Sequence, residues 1–137
     1  MTLPDLPHLV EAARAWARGS YAMEAAVELL IHHGTWLLRS DFLRMAVEYA
    51  PAHYSRIPLA VVSWDTLHAA LCNGLLPCSG SEAAVLRIAL SIAAGHPVDL
   101  GPAIARLDPV SLAYVLAAVR HAAGDRSAWA TVERNAP

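Results

Sequence analysis

Apolar residues return every three or four positions along most of this chain, and glycine, proline or a capping residue interrupts them at short intervals. Between Asp5 and Arg18 they stand at Leu6, Leu9, Val10, Ala13 and Ala17, which is one face of an α-helix, and Gly19 closes the run. Ser20 suits the N-cap of a second helix, Tyr21 to His33, which Gly34 ends. A third helix is predicted over Asp41 to Tyr49, capped by Ser40 or Asp41, with Trp36 as its earliest start. Ser63 caps a helix from Trp64 to Cys72, and Asp65 sits in its first turn, where the dipole favours negative charge. Asn73-Gly74 stops it. Ser79 and Glu82 have the spacing of a capping box, so a helix runs from about Gly80 to Ala94, where Gly95 ends it. Asp99 caps a short helix, Leu100 to Leu107. Asp108-Pro109 opens the last long one, which continues to Ala123 before Gly124.

The pattern lapses over "APAHYSRIPLAVV". Ile57 to Val62 has the β-branched character of a strand, but no second convincing strand is in view, and a lone strand is not stable. No strand is therefore expected here. The reading is an all-α, compact bundle of six to seven helices. Residues 1–124 form a single helical domain, and 125–137 form a polar tail that is a short helix or irregular and carries Trp129. Two helices are apolar over most of their circumference. Ser81 to Ala94 has as polar members only Ser81, Glu82, Arg87 and Ser91; Val110 to Ala123 has Ser111, Tyr114, Arg120 and His121. Such helices are buried on several sides, or one of them faces another chain. Their alanines allow close helix approach.

Composition sharpens this. Apolar residues make up 56% and charged residues 16% of the chain, more apolar and less charged than soluble domains usually are. The surplus apolar surface points to a subunit or partner interface. Net charge is −2, which does not favour nucleic acid. Every basic residue is arginine, so lysine chemistry, including a Schiff base and a phosphate-loop lysine, is excluded. The first residues lack the basic start of a secretory signal, and no stretch reads as a membrane span. These features point to a soluble cytoplasmic protein without a membrane segment.

Both cysteines lie in "LHAALCNGLLPCSGSE". His68 and Cys72 would share a helix face, Cys78 would approach from the loop, and His32, His33 or His53 would complete a zinc site. No paired short cysteine spacing supports this, so no metal is favoured. Cys78 precedes a helix start that would lower its pKa. A phosphatase-type loop would need arginine at position 84, which is alanine, and a zinc deaminase would need cysteine at 81, which is serine. A G-x-S-x-G elbow is absent. A turn between two helices accounts for Asn73 to Glu82 by backbone chemistry alone.

His32-His33 stands near a helix C-terminus, where histidine can bond free carbonyls. Glu24 and Glu28 are one turn apart, a pairing that can bind a metal or do acid–base work, and more often is a solvated face. The helix order over Ser79 to Gly124 resembles that of winged-helix DNA-binding domains, with the third helix as the reading helix. That helix, however, begins "DPVSLAYVLAAV", and its first basic residue is Arg120 at the far end. A DNA-binding role would need Arg87, Arg106, Arg120 and Arg126 on one surface.

The sequence therefore reads as a non-enzymatic helical binding or assembly module. It would act through an apolar helix face, as a homo-oligomer or on a protein partner, and without a cofactor. Tyr114, His121 and Trp129 are the candidate partner-binding residues. A transcription regulator with a degenerate winged-helix core is the alternative. A small metal- or thiol-dependent protein built on His68, Cys72 and Cys78 is the second alternative.

Overall fold

The computed structural model describes residues 3–52 and 56–135, and the side chains of 133–135 are outside the description. Eight α-helices and one short hairpin follow one another along these residues: α1 (Leu6–Ala17), α2 (Tyr21–His33), a 3-10 turn (Trp36–Leu38), α3 (Ser40–Ala46), β1 (Val47–Ala50), β2 (Leu59–Val62), α4 (Trp64–Cys72), α5 (Gly80–Ala94), α6 (Leu100–Ala105), α7 (Pro109–Ala122) and α8 (Ala128–Asn135). The chain is all-α, as its periodicity predicts. No helix of the described residues is long and apolar enough to cross a membrane.

Three of the predicted caps form as side-chain hydrogen bonds, whereas Ser63 and Asp99 precede their helices without one, and α6 stops at Ala105, short of Leu107. The Ser79 hydroxyl accepts from the Glu82 amide at 3.1 Å while the Glu82 carboxylate accepts from the Ser79 amide at 2.8 Å, so the capping box is complete. Asp108 accepts from the Ser111 amide at 2.7 Å, and Ser20 accepts from the Met23 amide at 3.3 Å. Gly34 and Gly95 take left-handed conformations at φ +81° and +72° and donate their amides back to Leu30 and Ser91.

The sheet corrects the expectation of no strand at Ile57–Val62 and of a helix running on to Tyr49. α3 stops at Ala46, and Val47–Ala50 pairs antiparallel with Leu59–Val62 in the register Val47↔Val62 and Tyr49↔Ala60. Val47, Ala60 and Val62 are buried and Tyr49 is half-buried, so one face of the hairpin joins the core. The Ser63 amide donates to the Ala46 carbonyl at 2.8 Å and ties the two ends together. The missing partner strand was present, but it lay in a segment whose spacing also suits a helix.

The core centres on α2 and α5, which pack on each other. Ala25, Ala26, Val27, Leu29 and Leu30 are buried on α2, and Ala84, Val85, Leu86, Ile88, Ala89 and Leu90 on α5. Small side chains let the axes approach closely. α7 packs along α2 by one side only, burying Ser111, Val115 and Ala118. α1 lies over β2, and its Trp16 stacks on Trp64 of α4 with ring centroids 6.4 Å apart. In the tail, Ala128 and Trp129 turn inward, 2% and 6% exposed, and fix α8 against α7.

Candidate functional site

The cysteine-bearing stretch does not assemble a site. His68 and Cys72 are one turn apart on α4, with Sγ 3.7 Å from Nε2, and the His68 ring stacks on His96 at 4.1 Å. His96 Nε2 is 2.8 Å from Asp65 Oδ1. Cys78 belongs to a different neighbourhood, under the charges of Glu82, Arg39 and Arg87. Among the described residues no three His, Cys, Asp or Glu side chains stand together as metal ligands, and His53 lies outside those residues. Partial burial first, and Glu82 second, push the Cys78 thiol above its ordinary range, opposite to the activation its place before α5 suggests. Cys78→Ser is expected to shift stability by less than about 0.5 kcal/mol in thermal unfolding. A several-fold larger loss would return Cys78 to the candidates.

Glu24 and Glu28 do not form the solvated face their spacing suggests. Their side chains are only 11% and 16% exposed. Arg126 grips Glu24 bidentately, Nε to Oε1 at 2.7 Å and Nη2 to Oε2 at 3.0 Å. The Gly19 amide donates to Oε2 at 2.8 Å, and His121 Nε2 lies 2.9 Å from Oε1. Trp129 Nε1 donates to His121 Nδ1 at 2.9 Å. An indole N–H only donates, so Nδ1 carries no proton and Nε2–H is the donor to Glu24. The Arg126 hydrogen bonds, with help from His121 and Gly19, outweigh burial and hold the Glu24 carboxyl at about 2.

Glu28 repeats the arrangement one turn on. Arg14 donates through Nε at 2.7 Å and Nη2 at 3.1 Å, and His32 Nε2 is 3.2 Å away. Burial opposes ionisation of Glu28 most strongly, yet His32 and Arg14 together keep its pKa below the ordinary value. The His32 ring stacks on Trp129 at 4.4 Å, so neither member of the His32-His33 pair is an exposed ligand. These groups line a cleft of about 470 Å³ bounded by α1, α2, α7 and α8. Both nitrogens of His121 and both oxygens of each carboxylate are already engaged. The arrangement is a latch that holds α8 on the bundle.

Sequence reasoning placed His121 and Trp129 on a partner-binding surface, and the structure brings them together inside this latch. It singled out Glu24 and Glu28 as a pair but favoured a solvated face for them, and it missed Arg14 and Arg126 as their partners; the other visible signal was a tryptophan in an otherwise polar tail. The chain matches no family model, no curated protein and no solved structure.

Tyr114 has a different setting. It is half-buried and lines the groove between α7 and α8 with Val110, Ala128 and Val132. Beside that groove runs the outer face of α7. Leu112, Leu116, Val119 and Ala123 follow one another at spacings of four, three and four, which places them on one strip. Leu116 is 56% and Val119 52% exposed. The four arginines that a DNA-binding role would gather are dispersed. Arg120 pairs with Asp125 at 2.9 Å and Arg126 with Glu24, while Arg87 and Arg106 line a depression between α5 and α6.

Proposed function

We propose that this protein is a non-enzymatic assembly module that pairs with a second copy of itself through the outer face of α7. The strip of Leu112, Leu116, Val119 and Ala123 carries the reading. Alternation of four and three is the spacing that lets side chains of one helix seat between those of another. The opposite side of α7 is already committed to the core, so the strip is surplus to the fold of one chain. Fully burying a leucine or valine side chain is worth roughly 1.5–3 kcal/mol, which favours covering this face. Two heptads are short for a self-sufficient coiled coil, and the adjoining α7–α8 groove supplies further apolar contact through Tyr114 and Val132. A two-fold pairing uses the same patch on both copies.

The two cysteines are unpaired and exposed, which supports a reducing, cytoplasmic setting. The DNA-binding alternative has less support, because Arg120 and Arg126 are spent on intramolecular carboxylates.

Sedimentation velocity and native mass tests the reading. The wild type is expected to be a dimer at micromolar concentration. Leu116→Glu combined with Val119→Glu is expected to be monomeric, with unchanged helicity and thermal midpoint, since both side chains are more than half exposed. A wild type that stays monomeric at roughly millimolar concentration, about the 4 kcal/mol limit of weak association, would overturn it.

A further inference from the structure

Four arginines of this protein are matched to a carboxylate: Arg14 to Glu28, Arg39 to Asp41, Arg120 to Asp125 and Arg126 to Glu24. Arg87 of α5 and Arg106, just after α6, are not. Neither makes an ion pair or side-chain hydrogen bond among the described residues, and both line one depression of about 490 Å³. Asp99 is the one acidic residue beside them there.

Gly80 fixes where Arg106 stands. A β-carbon built on Gly80 would lie 2.6 Å from Arg106 Nη1, so the guanidinium rests against the bare α-carbon, and any other residue would push it aside. The depression is otherwise lined by small or rigid residues, among them Ala84, Ala103, Pro97 and Pro102, which have little side-chain freedom to lose when a ligand enters. The capping box satisfies the amides of Ser79 and Glu82 at this end of α5, and the two guanidinium groups are the charged donors that the depression offers an anion.

We infer that this depression binds the phosphate group of a small phosphate monoester, held by Arg87 and Arg106. Two planar forks supply several N–H donors, which suits the three acceptor oxygens of a phosphate better than the two of a carboxylate. The volume suits a small molecule. A nucleic acid would need a continuing basic track, and Arg120 and Arg126 pair elsewhere.

Calorimetric titration with phenyl phosphate tests this, with inorganic phosphate, sodium benzoate and a short DNA duplex as comparison ligands. Phenyl phosphate is expected to saturate, more tightly than the others. Arg87→Gln and Arg106→Gln are each expected to weaken it roughly tenfold or more, as loss of a hydrogen bond to a charged group does. Gly80→Ala is expected to weaken it similarly while the thermal midpoint holds or rises, because only the flexible end of Arg106 must shift and alanine favours the helix. Absence of saturation, or binding that survives both arginine substitutions, would overturn the inference. Benzoate or inorganic phosphate binding as tightly would overturn the monoester assignment, as would tighter, arginine-dependent binding of the duplex. None of these outcomes bears on the self-association through α7, whose readout is mass.

Discussion

Replacing Trp36 by alanine is expected to destabilise the protein by about 3–5 kcal/mol, the range for deleting a buried tryptophan side chain. Trp36 lies in the 3-10 turn between α2 and α3 and is 0% exposed. Its Nε1 donates to the Glu82 carbonyl of α5 at 3.2 Å, and its ring tilts against Phe42 with centroids 5.6 Å apart. The Arg39 guanidinium stands over the ring at 4.8 Å and also holds the Pro77 carbonyl at 2.7 Å. One side chain thus joins the α2–α3 connection to the start of α5. The core of α2 and α5 is rich in alanine, which has no side-chain torsion with which to fill a void, so little of the cavity closes. With total stabilities of roughly 5–15 kcal/mol, such a loss places the folded state near its margin. Urea unfolding monitored by circular dichroism checks it, and a loss below about 1 kcal/mol would mean that the site collapses onto the void.

How much of this was legible differs by element. Helices announce themselves locally, because caps, stops and periodicity all lie within a few residues of one another. The Ser79–Glu82 box and the Asp108-Pro109 start are seen in the structure as read. The hairpin is different. Phe42, Met45, Ala46 and Tyr49 stand at helical spacing, and nothing within that window reveals that the chain after Ala46 meets Leu59–Val62. A strand depends on its pair, and pairing is not a local property.

The latch was illegible for the same reason, at longer range. Glu24 and Glu28 look like an exposed i,i+4 pair until Arg126, 102 residues later, and Arg14, 14 residues from Glu28, are brought to them. Trp129 was noticed because it breaks the polarity of the tail, but only the fold shows that His121 receives its N–H. The outer strip of α7 lies at the other extreme. Its apolar excess is visible in sequence, and the structure adds which side of the helix is left over.

Glu24→Gln is expected to cost about 2 kcal/mol at neutral pH, through loss of the Arg126 pair. Depression of the carboxyl from 4.5 to about 2 corresponds to about 3 kcal/mol, and exposure of Arg126 (56%) trims this through solvent screening. The contribution has a defined pH window. Because the folded pKa is the lower one, the stabilisation is whole above about pH 4.5 and is lost as pH falls towards 2. The gap between wild type and Glu24→Gln in urea unfolding should therefore be constant at higher pH, narrow below 4.5 and nearly close at about 2. His33 adds an earlier, separable decline. Burial lowers its pKa from 6.5, against the pull of Glu82 and Asp108, so the unfolded chain takes the proton first and stability falls as pH drops below 6.5. That decline appears in wild type and variant alike and cancels from the gap. A gap unchanged down to pH 2–3 would mean that Glu24 acts as a neutral hydrogen-bond acceptor, and the ionic latch on α8 would have to be abandoned.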